Sequence, residues 1–184
     1  MKRHTLASAL AALALGTGAG PAAAQLYGEL AYVDTRTRQL LSGFELKSSP
    51  TALRAFIGYT LTPNLSVEGL FMTGLSSDAI TANGTTISGS SADIDHGVGL
   101  YARPGMKLAE HVEVFGRVGF ARFKGTAALA GFGSESDSET SVSFGAGLAY
   151  LLSPRAKLTV DWMQYLKKDG FKASGLALGL GFMF

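Results

Sequence analysis

Six charged residues stand alone in otherwise apolar or small-residue surroundings: Glu29, Arg54, Glu68, Arg103, Arg117 and Asp161. Isolated charges of this kind either face water, pair with one another, or do chemistry. A second set is cationic and clusters near polar segments: His96, Arg122, Lys124, Lys168 and Lys172. Its chemistry is that of phosphate binding, because ammonium and guanidinium groups form strong charge-assisted bonds with phosphate. Nucleophilic catalysis is poorly served. A serine hydrolase needs a Ser/His/acid set, and past the N-terminal segment the only histidines are His96 and His111. His96 is followed by Gly97 and Val98, with no serine two positions on. The two histidines are far apart in sequence and cysteine is absent, so neither a zinc site nor a disulfide framework is expected. The run Ser134-Glu135-Ser136-Asp137-Ser138-Glu139 offers oxygen ligands for weak Ca²⁺ binding, but it reads first as a solvated loop tip. No cofactor is implied.

The elements that must position these residues follow from the chain's periodicity. Residues 1–24 read as a secretory signal peptide. Lys2 and Arg3 start it, Leu6 to Leu15 form an apolar run, and Ala22-Ala23-Ala24 offers a small-residue cleavage site before Gln25. The exported chain is residues 25–184. The full chain has 16 Lys+Arg against 14 Asp+Glu, and cleavage removes Lys2 and Arg3, leaving acids and bases balanced. Nucleic acid is therefore not an expected partner. Hydrophobic content is 47% and charged content only 16%, low for a soluble surface. Yet no stretch beyond residue 24 holds eighteen consecutive apolar residues, so a membrane would not be crossed by helices.

Alternation with period two runs through the rest. Strands are expected at Tyr27 to Val33, Leu53 to Leu61, Leu65 to Thr73, Val98 to Leu108, Val112 to Phe120, Val142 to Leu152, Leu158 to Leu166 and Leu176 to Phe184. Three connections look alike, Leu61 to Val67, Leu108 to Val114 and Leu152 to Leu158. Each reads as a three-residue turn, and their starts lie 47 and 44 residues apart. The other four connections are longer and polar: 35–50, 74–93, 125–140 and 168–172. Short turns at one end and long loops at the other, with eight antiparallel strands, predict an all-β, up-and-down transmembrane β-barrel. A soluble barrel would put its apolar face inside. Here the alternative face is small, as in Ser141, Ser143, Gly145, Gly147 and Ala149, while the opposite face carries Leu, Val, Phe, Tyr and Trp162. Small residues suit the cramped interior of an eight-stranded barrel.

The signal peptide, eight alternating segments, three tight turns and the ending Leu176, Leu178, Leu180, Phe182, Phe184 resemble the small outer-membrane β-barrel domain family of Gram-negative bacteria, the OmpA/OmpX-like and opacity-protein-like barrels. The resemblance implies residence in the cell outer membrane and a structural or surface-interaction role, with adhesion or other binding through the loops. It implies that the C-terminal strand with its terminal aromatic is the assembly signal read by the barrel-assembly machinery. Outer-membrane lipid and lipopolysaccharide are implied partners, the extracellular ligand is open, a monomer is expected, and no periplasmic peptidoglycan-binding domain is expected after the barrel.

Pairing the strands about their turns gives the register. Arg103 should face Arg117, Glu68 should face Gly58, and Asp161 should face Gly147, all inward, with Arg54 and Glu29 also inward. Like charges directly opposite are destabilising unless countered, so these residues should form a buried, neutral ion-pair network that fills the lumen. The competing readings are a small low-conductance pore and a lipid-A-modifying barrel enzyme. On the outward face His96 should oppose Lys124, and Arg122 should oppose Val98, with Lys168 and Lys172 outward at the last loop. These mark the membrane rim by snorkelling or contact lipopolysaccharide phosphates. The second loop holds Asn83-Gly84, a hairpin signal, which suggests that the third and fourth strands continue above the membrane. The first loop holds Leu40, Leu41, Phe44 and Leu46, enough apolar surface to fold onto the barrel mouth or to form an adhesive patch.

Overall fold

A computed structural model describes residues 25–41, 44–129, 133–168 and 170–184. The signal-peptide segment 1–24 lies outside the described residues. The strands are β1 (Leu26–Leu41), β2 (Phe44–Ser48), β3 (Thr51–Thr62), β4 (Leu65–Ser76), β5 (Thr81–Ala82), β6 (Thr85–Thr86), β7 (Ser91–Lys107), β8 (Val112–Leu129), β9 (Gly133–Ser153), β10 (Ala156–Lys168) and β11 (Phe171–Met183). Eight of them close into an antiparallel barrel in the order β1-β3-β4-β7-β8-β9-β10-β11, and β11 returns to pair with β1. Among the described residues closure leaves the eight barrel strands without a free edge, which is the condition for a sheet to cross hydrocarbon.

The alternation of the sequence becomes two faces. Leu100, Phe120, Phe71 and Leu176 point outward and are more than half exposed, an apolar belt suited to lipid. Ala31, Phe56, Tyr101, Ala121, Met163 and Ala177 point inward and are buried. The inner face is narrow enough that glycine is required where a large side chain crosses it. A Cβ built on Gly58 would overlap the Tyr27 ring, and one on Gly97 would overlap the Phe123 ring.

The short turns are tighter than the three-residue expectation at two places. Thr62 pairs with Leu65 and Ser153 pairs with Ala156, so Pro63-Asn64 and Pro154-Arg155 are two-residue turns. The third residue is absorbed as a bulge beside each turn. Away from these bulges the registers stand at Gly58 opposite Glu68, Asp161 opposite Gly147, and Val98 opposite Arg122.

The loop end departs more from expectation. The stretch 125–140 is not a long irregular loop: β8 and β9 stay paired up to Leu129 and Gly133, forming a ribbon that rises beyond the barrel. The first connection is also a hairpin, in which β2 folds back on β1 from Thr37–Ser48 to Leu41–Phe44. Asn83-Gly84 does turn a hairpin, with Asn83 at φ 49° and Gly84 at φ 86°. That hairpin is the separate pair β5–β6, attached to β2 through Leu46–Ala82, rather than an extension of the third and fourth barrel strands. β4 ends at Ser76 and β7 begins at Ser91, because the backbone between them is drawn sideways onto β2.

Candidate functional site

Inward-facing charges on six of the eight barrel strands converge inside the barrel. Glu29 on β1, Arg54 on β3, Glu68 on β4, Arg103 on β7, Arg117 on β8 and Asp161 on β10 are each at most 4% exposed. Arg54 grips Asp161 with both terminal nitrogens, at 2.8 and 2.5 Å, and reaches Glu29 at 3.2 Å. Arg117 sits between three carboxylates. Its Nε donates to Glu68 at 2.6 Å, one Nη donates to Asp161 at 2.7 Å, and the other donates to Glu29 at 2.9 Å. Tyr27 donates its hydroxyl hydrogen to Glu68 at 2.7 Å, and Arg54 donates to the Tyr165 hydroxyl at 2.9 Å.

Aromatic rings complete the enclosure. The Arg117 guanidinium lies 4.1 Å from the Phe56 ring centre and 4.7 Å from that of Phe115, and Arg103 lies 4.1 Å from Phe115. Such stacking replaces part of the hydration that burial strips from a guanidinium. Bidentate and branched arginine bonds also fix the geometry that a buried ion pair needs.

Sequence reasoning placed Arg103 against Arg117 and stopped there. The structure gives Arg103 its own partner: it donates to Glu113 at 2.7 Å and stands 3.4 Å from Glu68. Glu113 was missed although period two puts it inward on the same strand as Arg117. Lys157, buried at 3% exposure and 4.5 Å from the centre of the Tyr27 ring, was missed in the same way. With these two included, the interior holds as many basic as acidic groups. Arg54 Nε and Arg103 Nε and Nη2 are buried without a hydrogen-bond acceptor among the described residues.

The outward cations divide into two groups. His96 is paired in register with Lys124, beside Val98–Arg122, on the outer face of β7 and β8. Lys172 is paired with Arg38 on one side and with Lys167 on the other. Three cations thus stand side by side across β1, β11 and β10, of which Arg38 and Lys167 were not singled out in the sequence. Lys168 does not join them, which corrects the outward reading. A bulge between Gln164 and Leu166 leaves Tyr165, inward like Met163, without a register partner on β11 and reverses the alternation beyond it. Leu166 therefore points in at 5% exposure, and Lys168 turns to the barrel mouth, where it donates to Glu139 at 2.7 Å.

Beyond the membrane-spanning part, the β1–β2 hairpin carries a surface ion cluster. Arg38 meets Glu45, and Lys47 lies 2.7 Å from the other carboxylate oxygen. The bond from Lys47 and the charge of Arg38 hold the Glu45 carboxyl below the usual carboxylate range.

The mouth encloses a cavity of about 520 Å³. The acidic run 134–139, read in sequence as a solvated loop tip, lies on β9. Its residues Glu135, Asp137 and Glu139 pair with Ala127, Gly125 and Phe123 and line the cavity wall. Among the described residues no group of three or more His, Cys, Asp or Glu side chains is placed to hold a metal ion.

The closing strand carries the residues of the expected assembly signal. Leu176, Leu178, Leu180 and Phe182 point outward along β11, which is paired on both edges, and the Phe184 amide donates to the Leu26 carbonyl at 3.0 Å.

Solved structures with the same architecture come from several Gram-negative bacteria. Ail, the attachment invasion locus protein of Yersinia pestis, solved with the heparin analogue sucrose octasulfate, is 23% identical with a TM-score of 0.60, covering 88% of this chain and 99% of its own. Neisserial surface protein A is 12% identical with a TM-score of 0.66, covering 86% of this chain and 97% of its own. The N-terminal β-barrel domain of Pseudomonas aeruginosa OprF is 17% identical with a TM-score of 0.54, covering 85% of this chain and 97% of its own. No curated protein sequence matches the chain. The family model described as outer membrane protein beta-barrel domain matches residues 5–184, and with the closed eight-stranded barrel it establishes that the chain belongs to this family and resides in the bacterial outer membrane.

Proposed function

We propose that this protein is a surface-interaction barrel: a lumen closed by its ion-pair network, and extracellular hairpins that bind a partner outside the cell. The observation that carries the reading is the network itself. Its carboxylates and guanidiniums pair with one another across the barrel, and an eight-stranded barrel has room for side chains but not for an aqueous channel. Function then falls to the loop end, where the β8–β9 ribbon and the β1–β2 and β5–β6 hairpins rise beyond the barrel.

The supporting parts are assigned as follows. Residues 1–24 direct export and are removed. Leu176, Leu178, Leu180, Phe182 and Phe184 form the signal for the barrel-assembly machinery. His96, Arg122, Lys124 and Lys172, joined by Arg38 and Lys167, lie at the outer rim and contact lipopolysaccharide phosphates. Lys168 is set apart from that group by its place at the mouth. The barrel acts as a monomer. Ail is solved with a heparin analogue, and the rim cations here have the charge to meet a polyanion of that kind.

The test is adhesion. Expression in a non-adherent bacterial host should raise attachment to immobilised heparin or extracellular-matrix protein, and shortening the β8–β9 ribbon and the β1–β2 hairpin should abolish the gain while leaving surface levels unchanged. No gain on any such surface overturns the adhesive reading.

A further inference from the structure

The cavity at the mouth has two chemically distinct zones. Its lower wall is apolar: Met72 and Tyr165 are almost fully buried, Leu166 is 5% exposed, and Ile94 and Phe123 pack against the same core. Phe123 and Tyr165 meet edge to face, with ring centres 5.6 Å apart. Gly97 is what lets the Phe123 ring lie there.

Its upper wall is acidic. Glu135, Asp137 and Glu139 occupy alternate positions on β9, so all three fall on one face, and that face lines the cavity. The residues across from Glu135 and Asp137 are Ala127 and Gly125, which have no side chain able to cover a carboxylate. Glu139 is paired with Lys168. Among the described residues Glu135, Asp137 and Asp93, which also lines the cavity, form no salt bridge. Lys124 contributes to the lining from β8, but its register neighbours are His96 and Ser138 on the outer face.

We infer that this vestibule binds an amphipathic organic cation, with the apolar or aromatic body on Met72, Phe123, Tyr165 and Leu166 and the ammonium at Glu135 and Asp137. The volume of about 520 Å³ lies within the range of small-molecule sites, which are largely apolar with a few oriented polar groups. Glu135 and Asp137 are solvent-exposed, and like charges gathered along one concave wall above an apolar floor direct a negative field inward, so an ammonium gains there and a carboxylate is repelled. The aromatic pair offers ring faces and edges to the same ligand. This inference is independent of the adhesive reading, since the ligand sits inside the mouth and not on the outer hairpins.

The probe is 6-phenylhexylamine, titrated calorimetrically into full-length protein in zwitterionic-lipid nanodiscs, with empty nanodiscs subtracted. The neutral analogue 6-phenylhexanol and the acid 6-phenylhexanoate serve as comparisons. The amine should bind at least about ten-fold more tightly than the alcohol, and the acid should not bind. The pair Glu135→Gln with Asp137→Asn should bring the amine down to the level of the alcohol. Phe123→Ala should weaken both, with folding checked by heat-modifiable gel migration; if that variant does not fold, the exposed acidic pair alone decides. Equal affinity of amine and alcohol, amine binding unaffected by the acidic pair, or no saturable binding of the amine overturns the inference.

Discussion

Replacing Glu68 by glutamine isolates the energetic role of the interior charges. Glu68 accepts two bonds from Arg117, at 2.6 and 3.2 Å, and one from Tyr27 at 2.7 Å, and it stands 3.4 Å from Arg103. Glutamine keeps the shape and one acceptor oxygen but removes the charge. The remaining carboxylates near the three arginines are then Glu29 and Asp161, plus Glu113 at the side of Arg103. Breaking one member of a buried pair typically costs about 3–5 kcal/mol. Because an acceptor survives and Arg103 keeps Glu113, the loss should fall near the lower limit, about 3 kcal/mol. Adding Arg103→Gln removes the excess positive charge. The side chain of Glu113 is 19% exposed, so water covers part of what Arg103 leaves behind. The double variant should therefore recover about 1–2 kcal/mol of the first loss, within the range of couplings measured between contacting residues. Urea unfolding in lipid vesicles, followed by the fluorescence of the single Trp162, reads both values. A Glu68→Gln loss below about 0.5 kcal/mol, or losses that simply add in the double variant, would show that these charges are not one coupled network.

Three further outcomes are expected. Deleting Phe184, which is 69% exposed, should slow appearance of the heat-modifiable folded band without lowering the stability of barrels that do form; unchanged assembly under high expression refutes the signal role. Arg122→Ala with Lys124→Ala should lower thermal stability in lipopolysaccharide-containing membranes and do little in neutral detergent, where no phosphate is present; equal effects in both assign the residues to the fold instead. Because the folded-state titration of Glu45 is lowered, its stabilisation of the β1–β2 hairpin is complete above the usual carboxylate range and is lost as pH falls through the lowered value. Wild type and Glu45→Gln should then differ in amide exchange at Leu46 at neutral pH and converge in acid; a difference that persists in acid would contradict the assigned cause.

Legibility in the sequence followed the strength of the local rule. Alternation with period two is a hard geometric constraint, since a slip of one residue would turn Leu100 and Phe120 into the lumen and Arg117 into lipid. Short turns then set the pairing, so Glu68 could be placed against Gly58 and Asp161 against Gly147. The rule failed where a residue is inserted. Nothing in Gln164-Tyr165-Leu166 marks the bulge, and that one extra residue carries Lys168 from the outer rim to the mouth. The polar composition of 125–140 pointed to a loop because its small and charged residues are poor strand formers. Pairing between β8 and β9 simply continues there, with each strand supplying the other's backbone partners. Glu113 and Lys157 were accessible to the same parity argument and were passed over. Placing β5 and β6 on β2 was not accessible, because a contact between two loops has no period to read.

The closed lumen is the claim on which the functional reading depends, and planar-bilayer recording tests it most directly. Purified protein inserted from detergent-free proteoliposomes, at ±100 mV in about 1 M KCl, should give no discrete conductance steps above the empty-membrane baseline. Reproducible steps of fixed amplitude, altered by Glu68→Gln, would place an ion path through the network and contradict the account.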